Sequence, residues 1–241
     1  MTNLRHSLLK RYNMKRHGEV ALVKHEGCSF LLAKKNRLDM KMMCGKDWER
    51  DLRDRAVDEI NRHDIDLFID VGANLGLYTI DISRRCAVKE TIAFEPLPDN
   101  FNQLCGNIFA NGLSDRVTAN RSALSDRDGT ATMNVDTDFT IHSTLEAFGT
   151  NNAKFDKAID VPLIRFDNFY PFEGRRIYLK IDVEGHEMNA LRGMTRLLSN
   201  NKVNLQVESG DENLPTVTEF LTSHGYRQTG EMLVDRFFSN I

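Results

Sequence analysis

The sequence has few cysteines and no long apolar run, and both shortages exclude classes of protein. Its 241 residues include four cysteines, at positions 28, 44, 86 and 105, without a C-x-x-C pair. A disulfide framework or a zinc site is therefore not expected, and a reducing compartment fits. No apolar run approaches the ~20 residues that cross a bilayer. The basic start, MTNLRHSLLKRYNMKRH, lacks the apolar centre of a signal peptide. We expect a cytoplasmic protein without a transmembrane segment.

The chain also lacks a strong excess of charge of one sign. It has 32 Lys and Arg residues against 35 Asp and Glu, a formal net charge of −3. The chain as a whole is therefore not expected to bind nucleic acid. The basic residues near its start are Arg5, Lys10, Arg11, Lys15 and Arg16. They could contact an anionic partner, or they could simply be solvated; we favour the second interpretation.

The first 64 residues are predicted to form an arm or lid. Segments 19–24 (EVALVK) and 28–33 (CSFLLA) flank Glu26-Gly27, which predicts a β-hairpin. Residues 46–62 are predicted to form an amphipathic helix, because apolar residues recur there at every fourth position. Residues 65–241 then form the main domain.

In the main domain, strand patterns alternate with helix patterns. Strands are predicted at 67–71, 91–96, 117–121, 176–185 and 203–209, and helices at 76–86, 97–112, 187–199 and 214–225. Segment 128–165 interrupts this order with two strands, GTATMNV and DVPLI, and two short strands, near 226–229 and 233–238, end the chain. The alternation predicts an α/β fold with a mostly parallel sheet and helices on both faces. Such sheets bind ligands at the carboxyl ends of their strands.

A glycine-rich turn follows the first of these strands. Asp70, Gly72 and Gly76 have the spacing acid-x-G-x-x-x-G, whereas a dinucleotide motif, G-x-G-x-x-G, would need glycine at Asn74 and Leu77. The observed spacing suits a ligand with a cationic amine and a carboxylate. Glu95, at the end of the next strand, can accept hydrogen bonds from ribose hydroxyls. An amino-acid end beside a nucleoside describes S-adenosylmethionine. The alternative is that both acids only cap helices.

Four segments together resemble the FkbM-type S-adenosylmethionine-dependent methyltransferases. They are IDVGANLGLYT (69–79), FEPLPDNFNQLCGNIFANG (94–112), SALSDRDGTATM (122–133) and LKIDVEGHEMNALRG (179–193). They follow the family's order and spacing over roughly residues 65 to 210. The resemblance implies a Rossmann-like, seven-stranded class I methyltransferase fold whose final strand is antiparallel. It also implies O-methylation of a hydroxyl on a sugar or other secondary metabolite. Our first choice of acceptor is a deoxysugar such as fucose on a bacterial glycolipid or nodulation-type lipo-chitooligosaccharide.

The resemblance also assigns roles to individual residues. Those lining the methionine part of the cofactor are Asp70, Gly72, Ala73, Asn74 and Gly76. Tyr78 and Thr79 begin the next helix and close over it. Glu95 holds the ribose, Pro96 and Leu97 lie beside the adenine, and Ala123 and Leu124 lie on its other side. The acid that accepts from the adenine amine in many class I enzymes has only a displaced counterpart here, Asp126, whose role stays open.

The stretch IDVEGHE supplies the candidate catalytic groups. A sugar hydroxyl is a weak acid, so its methylation calls for a proton acceptor or a metal. Asp182 is the first candidate and is also counted as a cofactor-binding residue. His186 is a second, because imidazole titrates near neutrality, and Glu208 ends the neighbouring strand. Asp182 and Glu208 could instead hold a divalent ion, but we do not favour a metal.

The acceptor, a small molecule or glycan, is expected between the arm and segment 128–165. There Phe139, Phe148 and Phe155 could stack on sugar faces, and His142 and Ser143 could reach the site. The alternative for each is packing within an ordinary loop.

Three other functions compete with this interpretation. A nicotinamide-dependent oxidoreductase would need the missing glycines. A non-catalytic cofactor-binding module would tolerate loss of Asp182. A nucleic-acid methyltransferase of the amino-methylating kind would carry an Asn/Asp-Pro-Pro-aromatic signature, which the sequence lacks. The sequence does not determine the oligomeric state, and a homodimer is kept as one option.

Overall fold

The fold is described by a computed structural model that covers residues 19–34, 36–136, 143–145, 155 and 157–241. The basic N-terminal stretch, Phe139, His142 and Phe148 lie outside these residues. Across the described ranges, no helix combines the length and apolar character that a membrane span requires. The four cysteines are free thiols.

The chain begins with the predicted hairpin, formed by β1 (Val20–His25) and β2 (Cys28–Ala33). A short helix that was not predicted, α1 (Arg37–Met43), follows; the side-chain oxygen of Asn36 caps it by accepting from the Leu38 N–H at 2.9 Å. The predicted helix 46–62 is shorter than expected. Its observed form, α2, is Arg50–Arg62, because Glu49 has a left-handed backbone (φ 49°) that cannot continue a helix.

The remaining elements alternate as predicted. In chain order they are β3 (Leu67–Val71), α3 (Leu77–Arg85), β4 (Glu90–Phe94), α4 (Pro98–Ala110), β5 (Val117–Asn120), β6 (Ala123–Leu124), β7 (Gly129–Val135), β8 (Lys157–Ile164), α5 (Phe166–Phe169), β9 (Arg176–Ile181), α6 (Glu187–Arg192), α7 (Thr195–Asn200), β10 (Lys202–Glu208), α8 (Leu214–Ser223), β11 (Arg227–Met232) and β12 (Asp235–Ser239). Strands β6, β8 and β7 form a separate small sheet in that order.

Seven strands form the central sheet in the order β11-β12-β10-β9-β3-β4-β5. Neighbours from β10 to β5 pair in parallel, whereas the final strand, β12, is antiparallel to both β10 and β11. This confirms the predicted fold class, including the antiparallel last strand. The carboxyl ends of β3, β4, β9 and β10 lie side by side as a result.

Both faces of the sheet are covered, which explains the nearly continuous apolar runs in its strands. Ile69 and Val71 face one core, shared with α6, α7 and α8, whereas Phe68 faces another, shared with α2 and α3. Alternate side chains of one strand therefore enter different cores.

The predicted helix 187–199 is two helices, α6 and α7. The break lies at Gly193 and Met194, where a Cβ atom on Gly193 would overlap the carbonyl oxygen of Ser125. The Asp167 carboxylate then caps α7, accepting from the Arg196 N–H at 2.9 Å and the Leu197 N–H at 3.2 Å. The contact with Ser125 therefore requires glycine, a poor helix former, at a position where apolar spacing alone would continue one helix.

The hairpin packs against α4 through side-chain amides. The Ser29 N–H donates to Asn111 Oδ1 at 2.9 Å, the Leu31 N–H donates to Asn107 Oδ1 at 2.6 Å, and Gln103 Nε2 donates to the Leu31 carbonyl at 2.7 Å. These amides occur at every fourth residue of α4 and its C-cap, so they form hydrogen bonds with the backbone groups along one edge of β2. The division at residue 64 stays a prediction, since the hairpin shares a core with Leu75, Leu104 and Ile108.

Candidate active site

The turn after β3 is wedged between the ends of two other strands. The N–H groups of Gly72 and Ala73 both donate to the Phe94 carbonyl, at 3.0 and 2.9 Å. Gly72 has φ 85°, and a Cβ atom there would overlap the carbonyl oxygen of Asp182. Only glycine meets both conditions.

Asp70 is buried beneath this turn with one of its oxygens open to a ligand. Its Oδ2 accepts from Thr79 Oγ1 at 2.6 Å, whereas its Oδ1 has no hydrogen-bond partner within the described part of the chain. Burial raises the pKa of Asp70, and the nearby Lys180 ammonium opposes that shift. A cationic group beside Oδ1 would stabilise the carboxylate.

Glu95 holds both the turn and the start of α4. Its Oε2 accepts from the Asn74 N–H at 2.8 Å and its Oε1 accepts from the Leu97 N–H at 2.9 Å. Burial raises the pKa of Glu95 to about 7. The Asn100 side chain also bonds to this carboxylate, which leaves one acceptor position for a ligand hydroxyl.

A cavity joins these groups, and most residues predicted for the site line it. They are Asp70, Gly72, Ala73, Asn74, Tyr78, Glu95, Pro96, Leu97, Ala123, Leu124, Asp182, His186 and Glu208. Gly76, Thr79 and Asp126 are not among the lining residues. Gly76 instead packs on Leu104 as α3 begins, Thr79 orients Asp70 from behind, and Asp126 bonds to Arg127.

The chemistry of the cavity fits the cofactor inferred above. Asp70 Oδ1 and Asn74 Oδ1 are buried polar atoms without a partner among the described residues, and both belong to lining residues. Buried polar atoms of this kind normally find a partner, so a ligand with an amine or other donors would satisfy them. The residues that would hold the amino-acid end and the ribose are thus Asp70, Asn74 and Glu95.

Beyond Asp70, the cavity contains a cluster of acids around one buried lysine. Asp182, Glu184 and Glu208 each bring a carboxylate oxygen within 4.8 Å of the others. Lys180 is 3% exposed, and its Nζ donates to Asp182 Oδ2 at 2.8 Å. Sequence analysis missed Lys180, although a lysine inside the apolar strand RIYLKI was the available signal.

Crowding of like charges perturbs two of these acids. Burial, followed by the charges of Asp182 and Glu187, raises the pKa of Glu184 to about 8. The charge of Asp182, followed by burial, raises the pKa of Glu208. Proton uptake or a divalent ion would each relieve this repulsion, so the geometry leaves the metal alternative open.

His186 is held on both sides of its ring. Nε2 lies 3.2 Å from Ser125 Oγ, and Nδ1 lies 3.1 Å from the Asn189 amide nitrogen. The amide can only donate, so this geometry assigns the ring proton to Nε2. His186 thus lines the cavity with both ring nitrogens engaged by neighbouring side chains.

The cavity also includes residues without an assigned role in the sequence analysis. Trp48 and Glu49, which precede α2, line it, as do Ser122 and Leu145. Ser143, one of the loop residues considered, lines it too, whereas Phe155 does not. From the sequence, Trp48 is only one of the apolar positions of the predicted helix 46–62.

The raised acid pKa values predict that stability falls between pH 6 and pH 9. A folded-state pKa above the unfolded value means that the folded protein keeps its proton longer, so the free energy of unfolding decreases as pH rises through that range. Glu95 and Glu184 both act in this direction. Calorimetric Tm values should therefore fall from pH 6 to pH 9, and Glu184→Gln should flatten the curve. The exposed Glu212→Gln is the control; a Tm that rises over this range would contradict the prediction.

Comparison with known proteins identifies the family. Residues 70–228 match the family described as the methyltransferase FkbM domain. Hexuronic acid methyltransferase AglP of Haloferax volcanii is 31% identical over 150 residues, covering 60% of this chain and 57% of that protein. Methyltransferase 1 of Beauveria bassiana is 28% identical over 196 residues, covering 72% and 77%. The chain thus spans little more than half the length of AglP.

A solved structure supports the same fold. The methyltransferase FkbM from Methylobacillus flagellatus superposes with a TM-score of 0.52 at 17% identity, covering 73% of this chain and 44% of that one. Three observations on this chain indicate the same family: the order of strands in the sheet, the turn at Gly72 and the match over residues 70–228. The chain belongs to the methyltransferase FkbM domain family and has the class I fold of the S-adenosylmethionine-dependent methyltransferases.

Proposed function

We propose that this protein is an S-adenosylmethionine-dependent O-methyltransferase acting on a hydroxyl of a sugar or other secondary metabolite. The observation that carries the proposal is the position of Asp182. It lies at the end of β9, its carbonyl against Gly72 and its carboxylate in the cavity that also contains Asp70. A proton acceptor is therefore next to the proposed cofactor site.

The cofactor, when bound, supplies a methyl group activated by its sulfonium. The chain has to orient the acceptor hydroxyl and take up its proton. Lys180 Nζ, which donates to Asp182 Oδ2 at 2.8 Å, orients that carboxylate. The raised pKa of Glu184 and of Glu208 favours their protonated forms. We assign the role of general base to Asp182, with Glu208 beside it and His186 as a positioning residue.

For the acceptor, we put first a deoxysugar such as fucose within a glycolipid or lipo-chitooligosaccharide. The name of AglP, a hexuronic acid methyltransferase, supports a sugar as the class of acceptor. A homodimer and a cytoplasmic location stay predictions. Light scattering on the purified protein tests the first, and cell fractionation tests the second.

Calorimetric titration with S-adenosylmethionine, S-adenosylhomocysteine and NADH tests the cofactor. We expect Kd values on the order of micromolar for the two adenosyl compounds and no binding of NADH. NADH binding without adenosyl binding would favour an oxidoreductase instead. Absence of binding by all three, in folded protein free of co-purified ligand, would overturn the proposal.

Transfer of a labelled methyl group to a panel of glycosides tests catalysis. Asp182→Asn is expected to reduce transfer roughly 100-fold or more, because it removes the proton acceptor. Asp211→Asn, an exposed residue beyond β10, is the matched control. Binding without transfer to any acceptor would favour a non-catalytic module. Loss of transfer in EDTA with recovery in Mg²⁺ would assign a metal to the acidic cluster.

A further inference from the structure

Trp48 and Glu49 bring the N-terminal part of the chain into the cavity. Both line it, yet both precede the family match, which begins at residue 70. The segment between α1 and α2 therefore completes the cavity from outside the region shared with the family. It is the place where acceptor recognition can differ between relatives without changing the cofactor site.

A buried arginine fixes this segment. Arg53 is fully buried; its Nε donates to the Trp48 carbonyl at 3.1 Å, and its backbone N–H donates to the Glu49 carbonyl at 3.0 Å. Its guanidinium pairs with Glu26 and Asp81, each at 2.7 Å. Glu49 is thereby held in a left-handed conformation, which is strained for a residue other than glycine. Trp48 and Glu49 are thus preorganised.

The charges around Glu49 select against a carboxylate on the ligand. Glu49 interacts electrostatically with Lys180 and Asp182, and Glu184 and Glu208 share the same cluster. Among the described residues that line the cavity, Lys180 is the sole Lys or Arg, and it already pairs with Asp182. Among these described residues a ligand carboxylate would find no cation that is not already paired and would add to the crowding of acids, whereas hydroxyl groups would find acceptors.

We propose that Trp48 and Glu49 recognise the acceptor as a pyranoside without a carboxylate group. The Lys41 ammonium lies 4.1 Å from the centroid of the Trp48 ring, so the indole packs against the apolar face of the sugar with its other face. The Glu49 carboxylate accepts a hydrogen bond from a ring hydroxyl. This inference rests on the proposed function, because it names the acceptor class of the same cavity. It makes Trp48 and Glu49 specificity-determining residues.

The chain contains its own probe for this test, since Trp48 is its single tryptophan. Protein saturated with S-adenosylhomocysteine is titrated with methyl α-L-fucopyranoside, methyl β-D-glucopyranoside and methyl β-D-glucuronide while tryptophan emission is recorded. The last two differ only at C6, where the glucoside has a hydroxymethyl group and the glucuronide has a carboxylate. We expect saturable changes with the neutral glycosides and at least tenfold weaker binding of the glucuronide, which corresponds to ~1.4 kcal/mol.

Variants separate this inference from the proposed function. Glu49→Gln should weaken binding of the neutral glycosides about tenfold, as loss of a charge-assisted hydrogen bond predicts, and leave S-adenosylhomocysteine affinity within about twofold. Asp51→Asn, an exposed residue in the first turn of α2, should change neither. Failure to bind S-adenosylhomocysteine would count against the proposed function. If S-adenosylhomocysteine binds normally, two results would overturn the inference. One is the absence of any emission change with the neutral glycosides, and the other is equally tight binding of the glucuronide.

Discussion

Replacing Gly72 with alanine is expected to destabilise the protein by about 2–5 kcal/mol and to abolish cofactor binding. The left-handed backbone costs an alanine roughly 1–2 kcal/mol. Overlap of its Cβ with the Asp182 carbonyl adds roughly 1–3 kcal/mol, since a backbone atom cannot move aside cheaply. In a chain of this size the sum lowers Tm by about 10 °C. Thermal unfolding and titration with S-adenosylhomocysteine measure the two effects.

Gly225 provides the matched control for backbone strain. Its φ of 84° is nearly that of Gly72, but no atom of the described residues lies within 4 Å of the place that a Cβ would occupy. Gly225→Ala should therefore show only the left-handed strain, about 1–2 kcal/mol, with unchanged ligand affinity. Equal effects of the two substitutions would mean that the contact between Gly72 and Asp182 has no energetic consequence.

Glu95→Gln is expected to weaken S-adenosylhomocysteine binding by roughly 10- to 100-fold. A charged acceptor contributes roughly 1.5–3 kcal/mol to a hydrogen bond with a hydroxyl group. Glutamine also offers one oxygen where Glu95 uses two, for the Asn74 and Leu97 N–H groups. Calorimetric titration of the two proteins at pH 8 measures the loss.

The pH dependence identifies the carboxylate as the cause. Because burial raises the pKa of Glu95 to about 7, its charged form increases between pH 6 and pH 8. The affinity difference between wild type and Glu95→Gln should therefore widen over this range. Glu90→Gln, at the other end of β4, is the control. An affinity difference that stays constant from pH 6 to pH 8 would mean that ionisation of Glu95 does not contribute to binding.

The order of elements and most of the residues around the cofactor cavity were predictable from local patterns. Segments of five or six mostly apolar residues mark β3, β4 and β9, and glycine at a strand end marks the turn at Gly72. These signals concern neighbours in the chain, for which side-chain period and backbone angles suffice. Placing Asp70 and Glu95 at successive strand ends needed no further information.

The helix boundaries show where such patterns fail. Apolar residues at every fourth position predict helices that run through residues 46–49 and through Gly193, yet neither helix is continuous there. At Glu49 the backbone is left-handed, and at Gly193 the contact with Ser125 leaves room only for glycine, a poor helix former. Each interruption involves a contact between segments that are distant in the sequence or a backbone conformation that hydrophobic spacing does not report.

The sequence by itself determined the fold class, the glycine turn and the acids that end the strands, because local spacing encodes each of them. Only the tertiary structure decided which charges meet. Parallel pairing of β3 with β9 places Lys180 opposite Asp70, 110 residues away, and the fold brings Glu49 close to both Lys180 and Asp182. Strand order and register set these neighbours, and no local pattern contains them. The same reason explains why Trp48 lines the cavity.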